Sequence, residues 1–209
     1  MEELDGAYAV YAEETPIGFD VVAVDDVSEG WEDRWRAFHH GVRVGSLWVG
    51  PPWEEPPSDA VAVVIDPGRA FGTGAHPTTR LCLQLLQHVG ARSVLDVGCG
   101  SGVLSIAAAK LGFGPVGAVD IDEVALATTR ANAAANHVSV DLLTELRPAQ
   151  LGVMNIALDV VEMMLPTLPV EQVITSGYLE RDSPRTDGAR PLTRCVLDGW
   201  AADLLELRP

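Results

Sequence analysis

Several things are scarce in this 209-residue chain, and each scarcity narrows its identity. Lysine occurs once, at Lys110, so nearly all of the 14 basic residues are arginines, set against 30 acidic ones for a net charge of −16. A phosphate-binding surface needs clustered Lys and Arg, so nucleic acid is disfavoured as a partner, while a basic, lysine-rich protein partner is permitted. No apolar run approaches the roughly 20 residues of a membrane span, so no membrane partner is expected. The N-terminus, Met1-Glu2-Glu3-Leu4-Asp5, lacks the basic start and apolar stretch of a secretory signal. The three cysteines, Cys82, Cys99 and Cys195, have neither disulfide parity nor metal-ligand spacing. A reduced, cytoplasmic protein without a metal site is the expectation. No internal repeat is visible, and nothing in the sequence speaks to oligomeric state.

What remains is an ordinary globular composition, 47% hydrophobic and 21% charged. Residues 31–38, WEDRWRAF, place Trp31, Trp35 and Phe38 on one face of a short helix, and Val42–Val49 reads as a strand. The proline-rich Pro51–Pro57 ends both and marks a boundary. This divides the chain into an N-terminal and linker region, 1–57, and a main domain, 58–209. In the main domain strands are expected at Ala60–Ile65, Ser93–Val97, Pro115–Val119, Val138–Leu142, Leu151–Ile156 and Gln172–Ser176. Helices are expected at Thr78–Val89, Val103–Leu111, Glu123–Asn136 and Leu158–Leu165. A terminal hairpin, Thr193–Leu197 with Ala201–Leu207, turns at Asp198-Gly199. The fold class is therefore α/β, a doubly wound, mostly parallel sheet with an antiparallel C-terminal strand.

The segment Asp96-Val97-Gly98-Cys99-Gly100-Ser101-Gly102 follows an apolar strand and opens a helix. In an open parallel sheet such a turn lies beside the ligand crevice. Its glycines, Gly98, Gly100 and Gly102, allow a sharp turn and close backbone approach. No Gly-Lys-[Ser/Thr] follows, which excludes a P-loop, and the sixth position of a dinucleotide fingerprint is Val103, not glycine. Asp96, two positions before the first glycine, would repel a pyrophosphate but suits the ammonium and sulfonium groups of S-adenosylmethionine. Asp120 ends the next strand, 22 residues after Gly98, where an acid accepts hydrogen bonds from ribose hydroxyls.

A more distinctive stretch precedes these, Asp66-Pro67-Gly68-Arg69-Ala70-Phe71-Gly72-Thr73-Gly74-Ala75-His76-Pro77-Thr78-Thr79. Followed by Asp96–Gly102, it resembles the ribosomal protein L11 methyltransferase family. WEDRWRAF at 31–38, LWVGPPW at 47–53 and Met154-Asn155-Ile156-Ala157 are also similar to segments of that family. The resemblance covers roughly residue 31 to the end. It implies a seven-stranded sheet with a reversed last strand, S-adenosylmethionine as cofactor, and a protein amino group, lysine or N-terminal, as methyl acceptor. It assigns cofactor contacts to Thr79, Gly98, Asp120 and Asn155.

The residues carry their own reading beside this one. Phe71 either covers the cofactor, with Gly72 and Gly74 as pivots, or packs in the core. His76 is expected to order its loop by hydrogen bonding, and Thr78 or Thr79 to serve the N-terminus of the following helix. Asn155, at a strand end on the same sheet edge as Gly98 and Asp120, either accepts a hydrogen bond from the attacking amine and aims its lone pair, or caps the next helix. Asp159 and Glu162, one turn on, are acids that attract a cationic lysine. Cys99 is expected to fill a turn position without being reactive.

The chain also departs from the family it resembles. Family members carry an N-terminal substrate-recognition domain ahead of the tryptophan-containing linker, whereas about thirty residues precede Trp31 here; that domain is expected to be largely missing. Gly152 stands where an acid is usual and Ala157 replaces a leucine. Pro184, Pro191 and Thr186-Asp187-Gly188 replace a helix ahead of the final hairpin. The cofactor half is intact and the substrate half altered. Three readings follow: an amino-group methyltransferase acting on L11 or another basic protein, a small-molecule methyltransferase, and a non-catalytic cofactor-binding relic.

Overall fold

A computed structural model describes residues 2–4, 7–9, 40–66, 74–90, 93–186 and 188–207. The expected helix at 31–38 and the loop carrying Phe71 and Gly72 lie outside the described residues. The chain divides into two units, 1–35 and 36–209. In the first, β1 (Glu2–Leu4) and β2 (Ala7–Ala9) pair antiparallel.

The second unit holds two sheets among the described residues. The smaller has three strands, β3 (Val42–Val44), β4 (Leu47–Gly50) and β5 (Val61–Val64), with β3–β4 antiparallel and β4–β5 parallel. The single strand read over Val42–Val49 is thus a hairpin. Its turn falls at Gly45, which takes a left-handed φ of +58° inside an otherwise alternating run. The hairpin is tied down by Gln87. Its amide nitrogen donates to the Val44 and Leu83 carbonyls at 3.0 Å each, and its oxygen accepts from the backbone N–H and hydroxyl of Ser46 at 2.8 Å each.

The larger sheet has seven strands in the order β11-β12-β10-β9-β6-β7-β8. They are β6 (Val94–Val97), β7 (Val116–Val119), β8 (Asp141–Leu142), β9 (Ala149–Asn155), β10 (Val170–Leu179), β11 (Ala189–Leu197) and β12 (Trp200–Leu207). All neighbours are parallel except β12, which runs antiparallel to both β10 and β11. This is the doubly wound sheet with a reversed C-terminal strand that the strand–helix alternation predicts. Pro191, which lacks a donor, sits on the edge strand β11 beside a register shift between Pro191 and Thr193.

Helices α1 (Pro77–Leu86), α2 (Val103–Lys110), α3 (Glu123–Ala135) and α4 (Leu158–Met164) cover the sheet. Both faces of the sheet are buried, so β6 reads as a continuous apolar run broken only by Asp96. Val94, Val153 and Ile174 pack with Leu81, Leu85, Leu86, Leu104 and Ile106 on one side. Leu95, Val97, Met154 and Val173 pack with Val161, Leu165 and Leu168 on the other. Each fully buried Leu or Ile here contributes roughly 1.5–3 kcal/mol. Among the described residues no helix is long and apolar enough to cross a membrane.

Candidate active site

The strand order reverses between β6 and β9, and the crevice outside their carboxyl ends is where a parallel sheet of this kind binds its ligand. The glycine turn leaves β6 at that point. Gly98, Gly100 and Gly102 take φ values of +77°, +54° and +80°, and Gly102 is the left-handed N-cap of α2. The turn is pinned by backbone bonds from Gly98 and Cys99 N–H to the Val119 carbonyl (2.9 and 3.2 Å) and from Gly102 N–H to the Cys99 carbonyl (2.8 Å).

Asp96, on β6 two residues before Gly98, is buried at 1% exposure. The Ser105 N–H and hydroxyl both donate to its Oδ2, at 3.1 and 2.6 Å. Burial pushes its carboxyl up to about 6; the two Ser105 bonds oppose this shift, and the negative charge of Asp120 adds to it. Cys99 is likewise buried, its thiol pushed up to about 12, which leaves it a protonated packing group as its turn position suggests.

Asp120, just beyond β7, is partly buried. Its Oδ2 accepts from the Gly100 N–H (2.9 Å) and its Oδ1 from the Asp122 N–H (3.0 Å). Asp122 in turn caps α3, accepting from the Val124 N–H at 2.9 Å. The carboxylate expected to face ribose hydroxyls is thus also a brace of the glycine turn, with lone pairs remaining on both oxygens.

Asn155 is the last residue of β9, and its side-chain N–H donates to Thr79 Oγ1 at 3.2 Å. Two residues 76 positions apart that the sequence singles out separately therefore touch. The Asn155 Oδ1 is buried and has no hydrogen-bond partner among the described residues. An orphaned acceptor of this kind costs about 1–3 kcal/mol, so such groups occur where function needs them. Helix α4 begins after Ala157 with no side-chain cap, so Asn155 is not capping it. Of the two acids beyond, Glu162 is engaged by the Arg185 backbone N–H at 2.9 Å.

Thr79 lies on α1, whose N-cap is His76 rather than either threonine. The His76 Nδ1 accepts from the Thr78 N–H (3.3 Å) and bonds the Thr78 hydroxyl (2.8 Å), while the ring meets Trp200 edge-on with centroids 4.8 Å apart. Both threonine side chains are thereby left pointing into the protein, Thr79 fully buried. Burial holds the His76 imidazole below its ordinary pKa, which keeps it a neutral acceptor for the cap. Phe71 and Gly72 have no described position.

Sequence reasoning missed one set of residues that binds the site together. On α3, read only as alanine-rich, Thr129 and Asn132 share the buried face with Ala125 and Ala133, and Asn136, its C-cap, is buried as well. The Thr129 hydroxyl donates to the Gly100 carbonyl at 3.0 Å, and Asn132 Nδ2 donates to the Ser101 carbonyl at 2.9 Å. Asn132 Oδ1 also accepts from the Asp66 N–H (3.1 Å), and Asn136 closes on the Val64 N–H and carbonyl (2.9 and 2.6 Å). The signal available was three amide and hydroxyl side chains at i, i+3 and i+7 on an otherwise apolar helix face.

A cleft of about 1120 Å³ opens between α4 and the amino ends of β9 and β10, where Ala149 and Val170 line it. Asp159 and Glu162 of α4 also line it, while Asn155 and the glycine turn are not among its lining residues.

A protein-family model described as ribosomal protein L11 methyltransferase (PrmA) matches residues 8–183. A ribosomal protein L11 methyltransferase of Legionella pneumophila (strain Lens) is 43% identical over 171 residues, covering 75% of this chain and 59% of its own length. One of Syntrophomonas wolfei is 36% identical over 192 residues, covering 85% of this chain and 62% of its own. The crystal structure of a ribosomal protein L11 methylase from Lactobacillus delbrueckii subsp. bulgaricus superposes with a TM-score of 0.73 at 28% identity, over 81% of this chain and 100% of that one. The chain thus spans about three fifths of the length of these two curated relatives, and on these matches it belongs to the ribosomal protein L11 methyltransferase family.

Proposed function

We propose that the protein is an S-adenosylmethionine-dependent methyltransferase that acts on an amino group of a basic protein, with ribosomal protein L11, the substrate in its relatives' names, as the first candidate. We assign the cofactor to the domain at 58–209, preceded by the linker region 1–57. The residues present fit that group. The left-handed turn at Gly98–Gly102 offers backbone to a ligand at close range, Asp120 retains acceptor capacity, and Asp96 is a buried carboxyl beneath the turn. Thr79, and Phe71 and Gly72 from the loop ahead of it, complete the proposed set. When bound, S-adenosylmethionine supplies an electrophilic methyl group on a sulfonium.

The protein's own task is to position and dehydrate an uncharged amine. The observation that carries the reading is Asn155. Its amide nitrogen donates to Thr79, which anchors the side chain, and Oδ1 is left as an acceptor with no partner among the described residues. An acceptor held in that way takes an amine N–H and turns the nitrogen lone pair away from itself, toward the cofactor. A carboxylate there would hold a lysine as its ammonium ion, which has no lone pair to give. The net charge of −16 favours approach of a lysine-rich partner.

The test is transfer from methyl-labelled S-adenosylmethionine to purified L11, and to a cell lysate, beside cofactor binding by calorimetry. Wild type is expected to label protein. Asn155→Ala is expected to bind cofactor within about threefold of wild type and transfer at least about 10²-fold more slowly. Label appearing only in small molecules would redirect the substrate assignment. Full activity in Asn155→Ala would remove the residue from the mechanism, and binding without any transfer by wild type would support the non-catalytic reading.

A further inference from the structure

Strand β10 carries a cluster of buried hydroxyls that the chemistry above does not use. Over Gln172–Ser176 it pairs regularly with β12, but the register then shifts, with Ser176 opposite Ala202 and Tyr178 opposite Ala201. The inserted residue is Gly177, at φ +105°. A Cβ on it would run into the Ile156 carbonyl, and the Ile156 N–H donates to the Ser176 carbonyl at 3.1 Å. The peptide that follows Asn155 therefore rests directly on this bulge.

The bulge is held from behind. The Tyr178 hydroxyl bonds Thr175 Oγ1 (2.8 Å) and lies 3.1 Å from the Thr175 carbonyl, closing a ring across the inserted residue. It also donates to Asp203 Oδ2 at 2.8 Å, an oxygen that accepts from Arg194 at 3.0 Å. The Ser176 hydroxyl donates to the Ala201 carbonyl at 2.7 Å, where the ladder is interrupted. Thr175, Ser176, Tyr178 and Asp203 are all buried. A buried polar network is no more stable than apolar packing of the same shape; what it does is select one geometry. In β10 this network sits only at the segment that backs Asn155–Ile156.

The geometry points to Tyr178 as a positioning residue for Asn155, acting through the Gly177 bulge. This rests on the reading of Asn155 given above. The Tyr178 phenol fixes the bulge, the bulge fixes the Asn155–Ile156 peptide, and that peptide sets where Oδ1 is aimed. Removing the hydroxyl leaves the ring packed but frees the bulge.

The experiment compares full-chain wild type with Tyr178→Phe, and with Thr175→Val, which removes the partner hydroxyl at nearly constant volume. Amide exchange and ¹⁵N spectra are read first. The Ile156 amide is expected to exchange at least tenfold faster and the Asn155 side-chain amide resonances to move, with the Val94–Val97 and Val116–Val119 amides within twofold of wild type. Methyl transfer to L11 is expected to show kcat about tenfold lower at a KM for S-adenosylmethionine within twofold. Unchanged exchange at Ile156 overturns the proposal, as does a uniform rise at all amides, which marks a merely structural role. Should wild type transfer no methyl group, the functional reading fails by itself, and Ile156 exchange with the Asn155 resonances still decides whether Tyr178 holds the corner.

Discussion

Replacing Asp96 by asparagine isolates the electrostatic part of the glycine-turn site. The Asn oxygen still accepts from the Ser105 N–H and hydroxyl, so the main change is the loss of a titratable charge. Burial raises the Asp96 carboxyl from an ordinary 3.8 to about 6. A shift of about two units at about 1.4 kcal/mol each is worth about 3 kcal/mol. The native pKa lies above the unfolded one, so the native state holds the proton more tightly. The penalty is therefore absent below about pH 4, grows through the interval, and is complete above about pH 6. Wild type should lose stability relative to Asp96→Asn as pH rises. About half of the effect has accumulated by pH 5, so urea unfolding of both proteins at pH 5 and pH 8 is expected to show a difference that widens by about 1.5 kcal/mol in favour of the variant. A cationic ligand beside Asp96 adds a second readout. Binding of S-adenosylmethionine at pH 6 is expected to release up to about half a proton from wild type and none from the variant, measured by calorimetry in buffers of different ionisation enthalpy. A stability difference that does not vary with pH, with equal proton release, would refute the assignment of Asp96 as a buried, ligand-facing carboxyl.

Two further outcomes follow from the geometry. Gly98→Ala puts a side chain at φ +77°, with its Cβ 2.5 Å from Ile156 Cγ2, so melting should fall by an amount equivalent to at least about 2 kcal/mol and cofactor affinity by more than tenfold; a calorimetric Kd near wild type would show that the turn tolerates a methyl group. Asn132→Ala removes the amide that accepts from the Asp66 N–H and donates to the Ser101 carbonyl, so stability in chemical denaturation should fall by about 1–3 kcal/mol; a loss under about 1 kcal/mol would show that these two bonds do not hold the turn.

Features set by neighbours along the chain were legible in the sequence. The glycine turn, the acid ending the next strand and the turn at Asp198-Gly199 all follow from backbone rules that act over a few residues: left-handed φ favours glycine, and strands alternate with helices. Features set across the chain were not legible in the same way. Thr129, Asn132 and Asn136 act on partners 29 to 72 positions away, and the local pattern shows three polar side chains along an alanine-rich helix but not what they bind. The Thr79–Asn155 contact, 76 positions apart, belongs to the same kind; each residue could be singled out, their bond could not. The β3–β4 hairpin was hidden for a different reason. Its turn at Gly45 interrupts an alternating apolar run too briefly to break the pattern. The cap of α1 was misassigned because His76, an uncommon N-cap, outcompetes the two threonines, whose side chains are drawn inward by burial.

Ile156 shows why the turn and the acceptor hold a fixed relation. Its Cγ2 occupies the space a Cβ on Gly98 would take, and its backbone occupies the space a Cβ on Gly177 would take. One residue is bracketed by two glycines, one from the turn after β6 and one from the bulge in β10. Both glycines have positive φ, so neither position readily accepts a larger residue. Asn155, immediately before Ile156, is therefore spaced from the glycine turn by packing, while Thr79 fixes its rotation by a hydrogen bond. Displacement of either glycine moves Asn155 relative to the turn. In the proposed reaction, in-line methyl transfer is sensitive to shifts of about 1 Å, so the two glycines would govern chemistry at a side chain neither of them carries.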